Sequence, residues 1–258
     1  MRILAVSLDL DDTLWPVEPA IVAAEQQLDG WLRHHHAPVA ARWPVAALRE
    51  LRDQVSLERP DLAHDFTAQR LITLQRAFAA CNIDDAPVED AFEVYFAARN
   101  RIECYADALP ALQALGAHLP LVSISNGNAD LDRIGLRRHF RHCISARECG
   151  VAKPAAAIFH EACARLGLAP EHVLHVGDDP LLDVIGARAA GLRTAWLNRH
   201  GASWAERTRS LAARHALHKA DLAAPDFEWP DLGALARWVD KQQQYSLGRN
   251  DHSNNKES

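Results

Sequence analysis

The sequence predicts an α/β fold: a doubly wound, mainly parallel sheet, interrupted after its first strand by a block of helices. Three observations carry this expectation. From about residue 119 to 198, apolar runs of four to six residues alternate with helical stretches, as in parallel strands joined by crossover helices. A further apolar run, LAVSL at 4–8, precedes them by more than a hundred residues. Between Pro16 and about Tyr105 strand-like runs vanish and apolar residues recur at helical spacing.

Each element has its own signal. LAVSL (4–8) reads as a buried strand that ends in acids. In the helical block, Ile21, Ala24, Leu28 and Trp31 share one face, as do Leu48, Leu51 and Val55. Leu71, Leu74 and Phe78 repeat the spacing, followed by Val88, Phe92 and Tyr95. Pro16, Pro44, Pro60 and Pro87 punctuate these four stretches. LPLVSISN (119–126) reads as a second strand, HVLHVGDD (172–179) as a third and LRTAWLN (192–198) as a fourth. PAAAIFHEACARLGL (154–168) is a helix with proline at its start and Gly167 near its end. PLLDVIGARAAGL (180–192) is another. The segment WPDLGALARWVDKQQQ reads as a terminal helix, and residues 246–258 as a disordered polar tail. The expected organisation is a core of residues 1–15 and 106–245 with a helical insertion at 16–105.

Composition narrows the function classes. The chain has 258 residues, 48% hydrophobic and 24% charged, ordinary values for a globular protein with a dense core. A net charge of −6 gives no support to a nucleic-acid-binding face. No apolar stretch approaches the roughly 20 residues of a membrane span. No secretory signal is visible, so a cytoplasmic protein is expected. The five cysteines are far apart with no C-x-x-C pair, which argues against a zinc knuckle or a disulfide framework. The run His34-His35-His36 makes a poor chelate, because adjacent helical residues point about 100° apart. His175, inside an apolar strand, is expected to be a hydrogen-bonded core residue.

The chemistry-bearing residues lie at strand ends. Asp9, Asp11 and Asp12 follow the first strand, Ser125 and Asn126 the second, and Asp178 and Asp179 the third. In open parallel sheets ligands bind outside the carboxyl ends of the strands, so the fold would gather these groups at one edge. Like charges at the end of a buried strand repel, and a cation or a developing transition-state charge would account for them. Acids after a strand also serve as helix N-caps and turn formers, the competing role for Asp12 and Asp179.

The pattern D-x-D-x-T at Asp9–Thr13, Ser125 after an apolar strand, Lys153 before proline and GDDPLLD at 177–183 together resemble the haloacid dehalogenase superfamily. The four motifs occur in that family's order and span essentially the whole core, residues 1–15 and about 105–200. The resemblance implies a Rossmann-like core with an inserted α-helical cap. It also implies a magnesium-dependent phosphatase acting on a small phosphate monoester through an aspartyl-phosphate. Asp9 would be the nucleophile, and Asp11 the general acid and base. Ser125, Asn126 and Lys153 would hold the phosphoryl group. Asp9, Asp178 and the Asp11 carbonyl would hold Mg²⁺, with Thr13, Asp179 and Asp183 around them.

Within the insertion, ERPDLAHDFTAQR (58–70) resembles bacterial family members that act on ribityl and flavin phosphates of riboflavin synthesis. By that resemblance His64, Asp65 and Arg70 would face the substrate, with Phe66 available to stack on a ring. From the residues alone the arginines of the insertion, Arg70 and Arg99 included, are expected mainly on a solvated face, with one or two reaching the substrate. Phosphoglycolate or a sugar phosphate is the alternative substrate. A 2-haloacid dehalogenase would leave Asp11 and the acids at 178–179 without purpose, and a receiver-like phospho-acceptor domain would need no cap. The expected partner is a small phosphate ester, with neither nucleic acid nor membrane, for a monomer or homodimer.

Overall fold

The computed structural model of the chain describes residues 2–83, 87–214, 218, 220 and 222–253. Its six strands are β1 (Ala5–Leu8), β2 (Leu121–Ser125), β3 (His142–Ser145), β4 (Val173–Gly177), β5 (Arg193–Leu197) and β6 (Phe227–Trp229). They form one sheet in the order β3-β2-β1-β4-β5-β6 with every pairing parallel. The sheet is wound in both directions from β1, so the switch in strand order falls between β1 and β4. The crevice beyond their carboxyl ends is where such sheets bind ligands.

β3 and β6 were not anticipated. Each is short, four and three residues, and lies at an edge, so neither needs the continuous apolar run that marks a strand buried on both faces.

Helices cover the sheet on both sides. On one face α6 (Ala108–Gly116) and α9 (Leu232–Ser253) bury Leu112, Leu115, Leu235 and Val239 against Val6, Leu8 and Val176. On the other, α7 (Ala156–Leu166) and α8 (Gly186–Ala189) pack Ile158, Phe159 and Ala187 on Ala5, Val122 and Val173. Val122 and Val173 take one face and their neighbours Leu121 and Leu174 the other, as the two-residue period of a strand requires. The helix expected at 180–192 instead opens with a π-helical turn, Pro180–Ile185, before α8. Of the expected disordered tail, residues 254–258 lie outside the described residues, and the backbone through Ser253 belongs to α9.

Between β1 and β2 the chain forms α1 (Val17–His35), α2 (Ala37–Arg42), α3 (Val45–Glu58), α4 (Phe66–Ala79) and α5 (Val88–Arg99). Pro16, Pro44 and Pro87 each stand immediately before a helix, where the fixed φ and missing N–H of proline do no harm. These helices share a core of their own, with Leu28, Leu32, Leu51, Leu74, Phe78 and Tyr95 buried together. The return to the sheet is pinned. Both terminal nitrogens of Arg199 donate to Asp107 at 3.0 Å, and one of them also donates to the Thr13 carbonyl at 2.8 Å.

Candidate active site

Strand register sets the first contacts. Leu8 lies level with Val176 of β4 and Ser123 of β2, and the Asp9 amide still donates to the Val176 carbonyl at 2.9 Å. Asp9 and Asp178 therefore leave adjacent strands at nearly the same height. Asp183 is brought to them by the π-helical turn, an irregularity that often marks a functional site. The turn lies tight against β4: a Cβ on Gly177 would fall 2.2 Å from the Asp183 carboxylate. Only glycine permits that approach.

Lys153 arrives from the loop after β3. Asn126 clamps this loop by accepting from the Lys153 amide at 2.8 Å and donating to its carbonyl at 3.0 Å. Both polar atoms of the Asn126 side chain are thus committed to placing the lysine. The ammonium, 4% exposed as a residue, donates to Asp9 at 2.5 Å and to Asp183 at 2.6 Å. Asp183 further pairs with His175 at 3.2 Å and accepts from the Asp179 amide at 3.0 Å. His175 is held from its other nitrogen by Ser7 at 2.9 Å, as expected of a core histidine.

Carboxylate oxygens of Asp9, Asp178 and Asp183 lie within 4.8 Å of one another. Three buried or half-buried acids thus face one ammonium, leaving about two negative charges unbalanced, and the acids register this. Burial, opposed by Lys153 and reinforced by Asp183, pushes Asp9 up to about 7. Burial and the charges of Asp183 and Asp9 push Asp178 up to about 8. Burial acts on Asp183 too, but the Lys153 ammonium and the His175 hydrogen bond outweigh it and hold that carboxyl well below the usual range. Burial opposes the Lys153 charge, yet Asp183 and Asp9 keep it protonated far above neutral pH. Burial also keeps His175 below the usual imidazole value despite Asp183, so it adds no charge. A cluster of hard oxygen donors short of two positive charges fits a divalent cation such as Mg²⁺.

The remaining expected residues fall into two groups. Thr13 donates to Asp178 at 3.3 Å. The Ser125 hydroxyl accepts from the Gly127 amide at 3.0 Å, beside Asp11: a Cβ on Gly127 would lie 2.4 Å from one Asp11 oxygen and 3.3 Å from the Ser125 hydroxyl. Asp12 and Asp179 use their carboxylates locally. Asp12, with φ of 58°, accepts from the Val17 amide at 2.9 Å, and Asp179 caps the π-helical turn through Leu181 and Leu182.

The insertion supplies what the sequence did not disclose. Arg99 is not on a solvated face. It is 1% exposed and donates to both Asp11 oxygens at 2.6 and 2.8 Å, while Trp15 donates to the same carboxylate at 2.8 Å. Arg70 is also buried, its guanidinium 4.1 Å over the Tyr95 ring. Both arginines line a cavity of about 370 Å³ with Asp11, Phe66 and Gly127. Asp65 caps α4 through the Ala68 amide at 2.9 Å. Together with His64 it lines a neighbouring cavity of about 740 Å³ that also touches Ser125 and Asn126. The burial of Arg99 had a trace in the sequence: position 99 continues the face of Val88, Phe92 and Tyr95 at helical spacing.

A doubly wound parallel sheet with acids, a serine and a lysine gathered at its switch point defines a hydrolase of the haloacid dehalogenase type, and this chain belongs to that family. The family model for haloacid dehalogenase-like hydrolases matches residues 3–191. Among individual proteins, the chain is 32% identical to the 5-amino-6-(5-phospho-D-ribitylamino)uracil phosphatase of Escherichia coli, over 76% of this chain and 84% of that one. It is 38% identical to the phosphoserine phosphatase of Thermus thermophilus over 42% of this chain and 45% of the relative. The crystal structure of a 2-haloacid dehalogenase from Pseudomonas syringae pv. Tomato superposes with a TM-score of 0.79 at 34% identity, covering 92% of this chain and all of the other.

Proposed function

We propose that the protein is a Mg²⁺-dependent phosphatase that hydrolyses a small phosphate monoester through an aspartyl-phosphate on Asp9. The observation that carries this reading is the cluster itself: Asp9 beside the Lys153 ammonium, with carboxylates of Asp178 and Asp183 close enough to share a cation. An Asp9 oxygen attacks phosphorus as the P–O bond to the alcohol breaks. Asp11 gives the departing oxygen its proton, then takes one from the water that attacks the phosphorus of the acyl phosphate. Lys153 and the Ser125 hydroxyl hold the phosphoryl oxygens as charge shifts among them. Asp183 fixes the direction of Lys153, and Thr13 that of Asp178. Asp9, Asp178 and the Asp11 carbonyl would hold Mg²⁺, which when bound offsets the repulsion between a carboxylate nucleophile and a phosphate dianion.

The helical insertion of residues 16–105 would act as a cap that excludes water and reads the alcohol. The similarity to the Escherichia coli enzyme favours a ribityl or flavin phosphate. The buried guanidiniums of Arg70 and Arg99 favour the second reading, an acid-bearing ester such as phosphoglycolate. Dehalogenation, suggested by the Pseudomonas structure, needs neither a leaving-group acid at Asp11 nor the acids at 178–179, so those residues favour phosphoryl transfer. The reading is of a small-molecule enzyme; among the described residues no helix is long and apolar enough to cross a membrane.

The test is hydrolysis of p-nitrophenyl phosphate with and without Mg²⁺ by the parent and by Asp9→Asn. Activity that needs both Mg²⁺ and Asp9 is expected. Turnover that survives chelator or the Asp9 change would overturn the mechanism. A panel of esters ranked by kcat/KM tests the ribityl assignment, which fails if FMN ranks no higher than simple sugar phosphates.

A further inference from the structure

We infer that the cavity between the insertion and the sheet edge is an anion-reading subsite, in which Arg70, with the charge of Arg99 on the same wall, receives a second acidic group, a carboxylate or a second phosphate, on the alcohol portion of the substrate. The inference rests on the phosphatase reading for the identity of the ester and on the cavity wall for the rest.

Five charged side chains line this space: Arg52, Arg70, Arg99, Asp11 and Asp53. Four of them are paired. Arg99 donates to Asp11 as described, and Arg52 holds Asp53 at 2.8 Å. The fifth, Arg70, is 5% exposed and makes no hydrogen bond or ion pair among the described residues; its one recorded interaction is the stack on Tyr95. None of its nitrogens is sealed from solvent, so its unused donors are open to the cavity that it lines. The Tyr95 ring face steadies the guanidinium from one side and leaves its edge free. The planar fork of Arg70 retains five donors, matched in geometry to a carboxylate or phosphate.

Arg99 adds a second sign of the same need. Only one of its terminal nitrogens reaches Asp11, and its Nε and other terminal nitrogen are buried without a partner among the described residues. Unpaired buried donors are uncommon and call for an explanation. Two guanidiniums border one cavity: the unused donors of Arg99 are sealed from it, those of Arg70 are not, and both carboxylates of the wall are already paired elsewhere. At about 370 Å³ the space is near the small end of ligand pockets. That suits a compact acid on the alcohol better than a tricyclic ring. Asp11 and Gly127 on the same wall place the subsite next to the group that protonates the leaving oxygen.

The experiment compares ligands that differ only in the second charge. With Mg²⁺ present, kcat/KM is measured for phosphoglycolate, ethylene glycol bisphosphate, hydroxyethyl phosphate and FMN. In parallel, calorimetry compares phosphonoacetate with ethylphosphonate, which need no turnover. The parent is expected to prefer at least one acid-bearing ester over hydroxyethyl phosphate by about tenfold or more, the scale of one charged hydrogen bond. Whether the carboxylate or the bisphosphate arm wins says which acid is read. In Arg70→Met, which keeps an apolar stem against Tyr95, the ratio should collapse to within about twofold, whatever the absolute rate, and Arg70→Lys should retain part of it.

Equal values for charged and neutral esters in the parent, a ratio that survives Arg70→Met, or FMN as the best ester would overturn the subsite. If Arg70→Met does not fold, the parent's paired ligands decide alone. Tighter binding of phosphonoacetate with no ester hydrolysed would sink the phosphatase reading and leave the subsite standing. Hydrolysis of p-nitrophenyl phosphate with no charge preference would do the reverse.

Discussion

Gly127→Ala places one methyl group against the carboxylate that the mechanism uses as acid and base. The added Cβ would lie 2.4 Å from an Asp11 oxygen and 3.5 Å from its carboxyl carbon. Ordinary contact begins near 3.4 Å, so the carboxylate must retreat by about 1 Å. It is not free to do so cheaply, because Arg99 holds it at 2.6 and 2.8 Å and Trp15 at 2.8 Å. Each hydrogen bond to a charged group contributes about 1.5–3 kcal/mol. A reacting group displaced by about 1 Å loses on the order of a hundredfold in rate. The fold itself should survive, since the methyl borders a cavity and overpacking costs about 1–3 kcal/mol. The assay is kcat/KM on p-nitrophenyl phosphate at saturating Mg²⁺, with a thermal melt alongside. A fall of about a hundredfold with a folded protein is expected. A rate within about twofold of the parent would refute the claim that Asp11 works from this position.

The same substitution elsewhere should do the opposite: Gly30 lies within α1 with nothing within 4 Å of an added Cβ, so Gly30→Ala should stabilise by about 1 kcal/mol. That raises Tm by roughly 2–4 °C at unchanged activity, and an unchanged or lowered melt would contradict it. Lys153→Met strands Asp9 and Asp183 without their ammonium and should cost about 3–5 kcal/mol in chelator, read from the urea midpoint. A loss below about 1 kcal/mol would mean the ammonium is not what balances these acids. Burial pushes Cys163 up to about 11, so at pH 8 only about one native thiol in a thousand is ionised. Because the native value exceeds that of the unfolded chain, its contribution to stability is intact below about pH 8.5 and is lost as pH rises toward 11. Iodoacetamide mapping at pH 8 should therefore label Cys163 only on unfolding, and native labelling would contradict the burial.

Much of the sheet edge was legible because each element carried its own signal. Asp9, Asp178 and Ser125 follow apolar runs that could hardly be anything but buried strands, so their convergence followed from topology alone. Lys153 was legible as a residue but not as a contact, since its position depends on the Asn126 clamp between segments 27 residues apart. β3 and β6 escaped because edge strands lack the continuous apolar run of buried ones. Arg99 was the larger miss, whereas Arg70 had been expected at the substrate through the resemblance of 58–70 and not from its own pattern. An arginine on a helix is most often solvated, and only the packing of the insertion over Asp11 reverses that expectation. The wide turn at Pro180–Ile185 left no mark beyond its proline, because one extra residue per turn leaves the apolar pattern of a short segment intact.

The whole account turns on whether phosphorus is ever bonded to Asp9. Acid-quenching the parent during turnover of p-nitrophenyl phosphate with Mg²⁺, followed by peptide mass mapping, reads this directly. A phosphoryl group on Asp9, absent in Asp9→Asn, is the expected result. Label on another side chain while turnover proceeds, or oxygen-18 from water entering the Asp9 carboxylate over many turnovers, which attack at phosphorus forbids, would contradict it.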